Sequence, residues 1–152
     1  MPNMKKMNAF AVIGKEGACR GTPGTIQELW RDANGHFDEV SALAKRRSDG
    51  TLLGVWGLMS DFSRAFRPWE NGFSQGLYLA GVECNTDAVP PEGWTKWVAP
   101  AAEYLCVPAD IEGGFMKGLE LLEQNGFTLA GAAYDFTDPS DGKNYIYYPV
   151  KR

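Results

Sequence analysis

The sequence is poor in the residues that most often build catalytic or metal sites. Among its 152 residues there is one histidine, and the three cysteines, Cys19, Cys84 and Cys106, are far apart. No CxxC pair occurs, so neither a zinc site nor a disulfide framework is predicted, and unpaired thiols are typical of a cytoplasmic protein. A Ser-His-Asp or Cys-His device would require His36, which is interpreted as a turn residue. We therefore expect no metal site and no histidine-dependent catalysis.

Long hydrophobic runs and an excess of positive charge are also absent. The longest apolar run near the N-terminus, residues 9–13, is too short for a signal-peptide core or a membrane span. With 19 acidic and 15 basic residues and a pI of about 5.0, the chain is not expected to bind nucleic acid directly. The densest basic cluster, residues 45–47, is interpreted as a helix end. The glycine-rich residues 14–24 fit no nucleotide-binding pattern, so no cofactor is predicted.

Apolar, aromatic and glycine residues are what the chain has in quantity. It is 44% hydrophobic and contains 18 Gly, 8 Phe, 5 Trp and 6 Tyr. Only 22% of the residues are charged, which argues against disorder. A chain of this length supports one domain with a hydrophobic core, so residues 1–152 are predicted to form a single domain.

Hydrophobic periodicity and turn residues predict an α+β order of elements. Helices are predicted at residues 25–34, where Thr25 and Glu28 have capping-box spacing, at 38–47 and at 111–125. Strands are predicted at residues 10–13, 51–59, 76–84, 94–98, 103–107, 128–136 and 144–150. The irregular segment between the second and third strands contains four aromatic residues: Phe62, Phe66, Trp69 and Phe73. Such rings must be buried against the core or against a ligand.

The two halves of the chain resemble each other. Residues 51–61 align without gaps with residues 128–138, with threonine, leucine, glycine and aspartate identical at four positions. Each copy follows a predicted helix and precedes a further strand. The implied unit is strand–helix–strand–strand, present at about residues 7–88 and again at 93–152. Duplication of this kind gives pseudo-twofold symmetry, with a ligand cleft expected between the halves.

Several segments carry a resemblance to a known family. The segments are GTIQELW at residues 24–30, YLAGVE at 78–83, GWTKWVAPAAEY at 93–104, and residues 119–126, 134–136 and 146–150. They resemble the GyrI-like small-molecule-binding domain, also called the AraC-type effector-binding domain. The resemblance implies an antiparallel sheet of two βαββ units, helices packed on one side and an effector cleft between the halves.

The same resemblance implies a function. Members of the family bind lipophilic, often cationic, small molecules, commonly as the multidrug-sensing module of a transcriptional regulator. Others stand alone, and some are carried on mobile integron cassettes. Because no helix-turn-helix pattern occurs in this sequence, the chain is interpreted as a standalone member, with a DNA-binding protein as a candidate partner and no membrane association.

An acidic residue at the floor of the cleft is implied by the resemblance. The family places a glutamate in the strand that here contains Asp135, and the shorter side chain leaves the depth of the charge contact open. Strand alternation puts Asp135 on one face with Gly131 and Ala133. The alignment of the halves predicts Trp56 and Leu58 on the matching face, with Trp56 opposite Asp135. The alternative is that Asp135 lies at a solvated strand end.

Further candidate ligand-binding residues come from the remaining strands. Glu83 is the second candidate acid, with a solvated strand terminus as the alternative. Tyr104, Tyr145 and Tyr147 are pocket rings by family position, and Tyr134 completes the set. For each ring, packing in the core is the alternative.

Three functions fit these features. The first, which we favour, is a binding protein for lipophilic and cationic small molecules, without catalysis. The second is a hydrolase of cyclopropane-type electrophiles, as in a smaller branch of the family that uses a tyrosine and a glutamate. It needs a tyrosine hydroxyl near Asp135 or Glu83 to activate water. The third is a protein-interaction regulator such as a gyrase inhibitor, which would expose an apolar patch.

Overall fold

The fold is built on one antiparallel sheet. The structure is a computed structural model and describes residues 3–151. The strands are β1 (Asn3–Met7), β2 (Phe10–Arg20), β3 (Val55–Ser60), β4 (Gln75–Cys84), β5 (Thr95–Ala99), β6 (Ala102–Pro108), β7 (Thr128–Leu129), β8 (Tyr134–Thr137) and β9 (Asn144–Lys151). The helices are α1 (Thr25–Gly35), the short α2 (Glu70–Phe73) and α3 (Gly114–Gln124). Within residues 3–151, no helix is long and apolar enough to cross a membrane.

The strand order is symmetric about its centre. The order is β1-β6-β9-β8-β3-β4-β2-β5, and β7 pairs with β9. The unit β2-α1-β3-β4 therefore lies on one side of the β3–β8 pair, and the unit β6-α3-β8-β9 lies on the other. This arrangement confirms the predicted α+β fold of two βαββ units. The repeat limits at residues 7–88 and 93–152 remain a prediction, and Met1, Pro2 and Arg152 lie outside the described residues.

The two outer strands are exchanged between the units. Strand β1, which the sequence did not predict, precedes the first unit but pairs with β6 of the second, with Lys5 opposite Tyr104. Strand β5 precedes the second unit but pairs with β2 of the first, with Trp97 opposite Val12. Each half therefore completes the sheet of the other half.

Both long helices begin after a glycine in the left-handed conformation. Gly24 and Gly113 have φ of 92° and 91°, a backbone conformation that residues with a Cβ rarely adopt. The predicted capping box is wrong, because no side chain caps α1. Instead, the Glu28 amide donates to the Gly24 carbonyl at 3.0 Å, and the Thr25 hydroxyl donates to a main-chain oxygen.

The two faces of the sheet have different partners. On one, which we call the helix face, residues of α1 pack on β2 and β4, and residues of α3 pack on β6 and β9. The opposite face, which we call the inner face, buries a cluster drawn from strands and connecting segments, to which neither α1 nor α3 contributes. On the inner face, the Phe10 ring of β2 lies 6.3 Å from the Tyr134 ring of β8, although β3 and β4 separate these strands in the sheet. The sheet therefore curls around an aromatic core.

Three predicted elements differ in the structure. Residues 38–47 form two short 3-10 turns and then an extended segment, because the Lys45 amide donates to the Glu83 carbonyl at the end of β4. Strand β2 continues through Gly14 to Arg20, because Gly14 lies opposite Gly81 and the two strands approach too closely for a Cβ. The strand predicted at 128–136 is interrupted between β7 and β8.

Candidate ligand-binding site

A cavity of about 250 Å³ lies on the helix face where the two units meet. Its walls come from β3, β8, β9, α3 and the segment of residues 61–74, which we call the cover segment. The apolar lining includes Met59, Trp69, Phe73, Phe115, Leu129 and Ile146. Asp135 is the one ionisable residue among the described residues that line it. This is a ring-walled space with a single carboxyl group.

The Asp135 carboxyl is held by a short chain of donors. Asp135 lies opposite Gly57 in the β3–β8 pair. The Tyr78 hydroxyl donates to Asp135 Oδ2 at 2.9 Å, and Trp30 Nε1 donates to the Tyr78 hydroxyl at 3.1 Å. A Cβ at Gly57 would overlap the Tyr78 hydroxyl, so glycine is needed there for the pair to form. Strands β3, β4 and β8 together therefore position the acid.

Burial makes the ionised form of Asp135 unfavourable. It raises the pKa of this carboxyl, and the hydrogen bond from Tyr78 offsets the shift only in part. The pKa of Tyr78 is raised by burial and by the neighbouring Asp135 charge, so its hydroxyl stays protonated and acts as a donor. A positively charged group entering the cavity would relieve the unfavourable ionisation.

The cover segment is fixed at its start by Asp61. The Ala65 and Arg67 amides donate to Asp61 Oδ1 at 2.9 and 3.3 Å, and the hydroxyls of Ser60 and Ser63 donate to the same carboxylate. Burial alone would raise the pKa of Asp61, but these donors, the Ser63 hydroxyl foremost, lower it to about 2. A carboxylate with four donors is a firm anchor for an irregular loop.

Four aromatic residues of the cover segment divide between the two faces. Phe62 and Phe66 pack against the inner-face core, whereas Trp69 and Phe73 line the cavity. The Phe66 carbonyl accepts a hydrogen bond from the Ala132 amide at 2.9 Å, which explains the interruption between β7 and β8. Packing against the core is thus confirmed for Phe62 and Phe66, whereas ligand contact for Trp69 and Phe73 stays a prediction.

The cover segment also contains unusual backbone. Arg64, Phe66, Asn71 and Phe73 are the non-glycine residues with positive φ among those described, at 60°, 58°, 53° and 66°. Residues with a Cβ adopt this conformation at a cost of about 1–3 kcal/mol each, and such residues cluster in ligand clamps. The strained residues lie in the segment that lines the cavity.

The other predicted site residues lie on the inner face. Trp56 Nε1 donates to Glu83 Oε1 at 3.1 Å, and both residues are buried. Tyr145 and Tyr147 join this pair around a second hollow of about 360 Å³, which we call the inner hollow. The alternative of a solvated terminus for Glu83 is therefore wrong. Leu58, Tyr104 and Tyr134 are at most 2% exposed and belong to the packed core.

The predicted cleft with Trp56 opposite Asp135 is wrong. In the β3–β8 pair, Trp56 lies opposite Phe136, and Gly57 lies opposite Asp135. The alignment of the halves equated Trp56 with Ala133, but Trp56 belongs to the inner-face core and Ala133 to the cluster beneath α3. Because successive side chains point to opposite faces, an error of one residue moves a whole set to the other side.

Sequence reasoning missed Tyr78 as a site residue. It begins one of the segments that carry the family resemblance, and alternation along β4 places it on the helix face with Ala80 and Val82. A tyrosine in the middle of a strand of small and aliphatic residues was the signal that could have been used. The aromatic residues of the cover segment were noticed, but their proximity to Asp135 was not.

Comparisons with known proteins give the fold. No protein-family model and no curated protein matches this sequence. The structure of SAV2435 bound to tetraphenylphosphonium is similar over 99% of this chain and 94% of that one, with a TM-score of 0.63 and 11% identity. An integron cassette protein from Vibrio cholerae is similar over 98% of this chain and 95% of that one, with a TM-score of 0.57 and 15% identity.

EcmrR provides a third similarity. The similarity to its C-terminal domain covers 100% of this chain and 98% of that domain, with a TM-score of 0.64 and 15% identity. The similarity to EcmrR in its complex with DNA covers 100% of this chain and 57% of the EcmrR chain, with a TM-score of 0.64 and 13% identity. The chain therefore has the fold that these proteins share. This fold fits the GyrI-like effector-binding domain that the sequence segments resemble.

Proposed function

We propose that this protein binds lipophilic cations in the cavity above Asp135. The observation that carries the proposal is a carboxyl group at the floor of a ring-lined cavity whose described lining contains no other ionisable residue. The tetraphenylphosphonium bound to SAV2435, a protein of the same fold, supports this class of ligand. The other face of the sheet holds Glu83 next to cationic residues and is not the proposed site.

The energetics of the site favour a cation over a neutral ligand. Leaving an ionised carboxyl in a partly buried cavity costs free energy, and a cation removes that cost. The rings of Trp69, Phe73 and Phe115 add cation–π attraction of about 0.5–2 kcal/mol for a good contact. The cavity is slightly below the usual range of roughly 300–1,000 Å³ for ligand pockets. A large cation therefore requires Trp69 or Phe73 to move with the cover segment.

The proposal is tested by comparing the two candidate acids. Tetraphenylphosphonium and the neutral triphenylphosphine oxide are titrated into the protein while tryptophan fluorescence is recorded, because Trp69 lines the cavity. We expect Asp135→Asn to weaken the cation at least tenfold, about 1.4 kcal/mol, and to leave the neutral compound nearly unchanged. Glu83→Gln, on the inner face, is the matched control and should leave both affinities unchanged. Equal loss of the two ligands in Asp135→Asn would remove the charge role.

A hydrolase is the second candidate function, and one contact favours it. The requirement of a tyrosine hydroxyl beside an acid is met by Tyr78 and Asp135, 2.9 Å apart. In such a reaction, water oxygen bonds to the electrophilic carbon, the water proton passes to the Asp135 carboxylate, and the strained carbon–carbon bond breaks as its leaving carbon takes a proton from Tyr78. The proton then passes from Asp135 to the Tyr78 phenolate across their contact, which restores both groups. The two functions are distinguished by incubating the protein with a cyclopropane-containing alkylating agent and following its consumption by mass spectrometry. A binding protein returns the compound unchanged.

We also propose a wider role for the protein. The similarity to EcmrR, which is known in a DNA complex, supports a function in transcription regulation or drug sensing through a DNA-binding partner. The three buried cysteines are unpaired, which supports a cytoplasmic location.

A further inference from the structure

An apolar groove continues outward from the cavity along α3. The groove has a volume of about 460 Å³, and we call it the α3 groove. Phe73 and Leu129 line both the cavity and the α3 groove, so the two spaces adjoin. The Phe73 ring lies 5.1 Å from the Phe115 ring of α3, at the junction. A ligand whose charged end lies over Asp135 can therefore extend into the groove past this pair of rings.

The surface of the α3 groove is unusually apolar for an exposed helix. Met116 is 63% exposed and Phe73 is 36% exposed, and Leu119 lies beside them. Exposed apolar residues that lie together, rather than singly, mark a binding surface. Covering the α3 groove would therefore remove apolar area from water, which is favourable.

The charges around the two spaces share one sign. Glu120 and Glu123 line the α3 groove, and Asp135 lines the cavity. None of the described residues that line either space is a lysine or arginine, although Lys117 approaches Glu120 at 3.7 Å. Such a surface attracts cations and disfavours anions. An apolar floor with acidic edges is complementary to a positively charged amphiphile.

We propose that the ligand is a single-chain cationic amphiphile, with its charged head over Asp135 and its alkyl chain in the α3 groove. This inference rests on the proposed function, because it assumes that the cavity binds the charged head. It adds the class of ligand: a quaternary ammonium compound with an alkyl chain longer than the cavity can enclose. The shared lining residues and the single sign of charge select this occupant over a neutral or anionic lipid.

A series of alkyltrimethylammonium salts tests the inference. Hexyl, octyl, decyl and dodecyl compounds are titrated below their micellar concentrations, with binding measured by calorimetry. We expect affinity to rise about two- to fourfold for each added methylene through the whole series, as burial of alkyl surface predicts. Met116→Gln should weaken the dodecyl compound about threefold or more and leave the hexyl compound unchanged. Val89→Gln is the control, because Val89 is 79% exposed and lines neither space.

The outcomes separate this inference from the proposed function. If affinity stops rising beyond the hexyl compound, or if Met116→Gln weakens the compounds of every length equally, the alkyl chain does not lie in the α3 groove. In that case, hexyl binding that depends on Asp135 still supports the cavity as the site for the charged head. If Met116→Gln instead changes self-association in sedimentation and leaves the dodecyl affinity intact, the α3 groove is a protein interface and the inference is overturned. Failure of every compound, hexyl included, contradicts both proposals.

Discussion

The two faces of the sheet each hold a carboxyl group next to an aromatic donor, but the surroundings of the two acids differ. On the helix face, Tyr78 donates to Asp135, whose pKa is raised by burial. On the inner face, Trp56 donates to Glu83, and the adjoining inner hollow also contains Lys5 and Arg47. An acid beside a ring is therefore insufficient to identify a cation site. The two faces differ in that no described residue lining the cavity is cationic, whereas Lys5 and Arg47 line the inner hollow.

The largest expected effect comes from filling the space beside each acid. A Cβ at Gly57 would overlap the Tyr78 hydroxyl and lie 3.2 Å from Asp135 Cβ, so Gly57→Ala should displace the pair. We expect the free energy of unfolding to fall by about 1–3 kcal/mol and tetraphenylphosphonium binding to be lost. Thermal denaturation and fluorescence titration measure the two effects.

Gly54 provides the matched change on the inner face. A Cβ there would lie 2.8 Å from Phe136 Cε1 and 2.9 Å from Trp56 Nε1. Gly54→Ala should therefore cost similar stability, whereas the folded variant should retain the cation affinity of the parent protein. Loss of binding in both variants would mean that the two faces do not act independently.

The pH dependence of binding is the next largest effect. Because the pKa of Asp135 is raised in the free protein, a bound cation, which favours the carboxylate, must displace a proton as it binds. Cation affinity should increase up to about tenfold for each pH unit below this raised pKa and then level off above it. Calorimetry in two buffers of different ionisation enthalpy measures the released proton. In Asp135→Asn the dependence should vanish, whereas a pH profile unaltered by this substitution would assign the proton to another group.

The same shift affects stability with a defined sign. The folded protein holds the Asp135 proton more tightly than the unfolded chain, so this group contributes stability at low pH that is lost as the pH rises through the raised pKa. Asp135→Asn should therefore make the ligand-free protein more stable near neutral pH. The inner-face variant Glu83→Gln keeps a side-chain oxygen that can accept from Trp56 and serves as the comparison.

The smallest effect is expected at the edge of the inner hollow. Arg47 Nη2 lies 3.2 Å from Asp138 Oδ1, and both side chains are partly exposed. Arg47→Gln should lower the free energy of unfolding by only about 0.5 kcal/mol, the usual value for such a pair. Cation affinity at the helix face should stay constant in a fluorescence titration. A clear change would show that charge on the inner face influences the cavity.

The sequence was sufficient for the fold, and the role of Asp135 stays a prediction. Strand alternation, helix periodicity and the internal repeat predicted two βαββ units, and the family resemblance singled out Asp135. These signals are local, or they depend on the order of elements, which a sequence displays directly.

The geometry of the site depends on features that a single sequence does not display. The face on which Trp56 lies depends on pairing register, and a weak alignment of four identities does not fix register to one residue. The placement of Tyr78 against Asp135 requires β4 to lie beside β3 and β3 beside β8, which is tertiary information. The cover segment adopts positive φ at Phe66 and Phe73, where no local rule favours it. These positions are set by packing, not by propensity.

The exchange of β1 and β5 has a consequence for how the molecule comes apart. Because β1 pairs with β6 and β5 pairs with β2, a cut in the connection after Cys84 would leave two fragments, each lacking the edge strand that the other carries. Neither fragment should fold alone, but an equimolar mixture should reassemble into the intact sheet. The connection between the halves then serves as a tether that raises their local concentration. The cavity, built where the halves meet, would reappear only with reassembly, which makes ligand binding a direct readout of complementation.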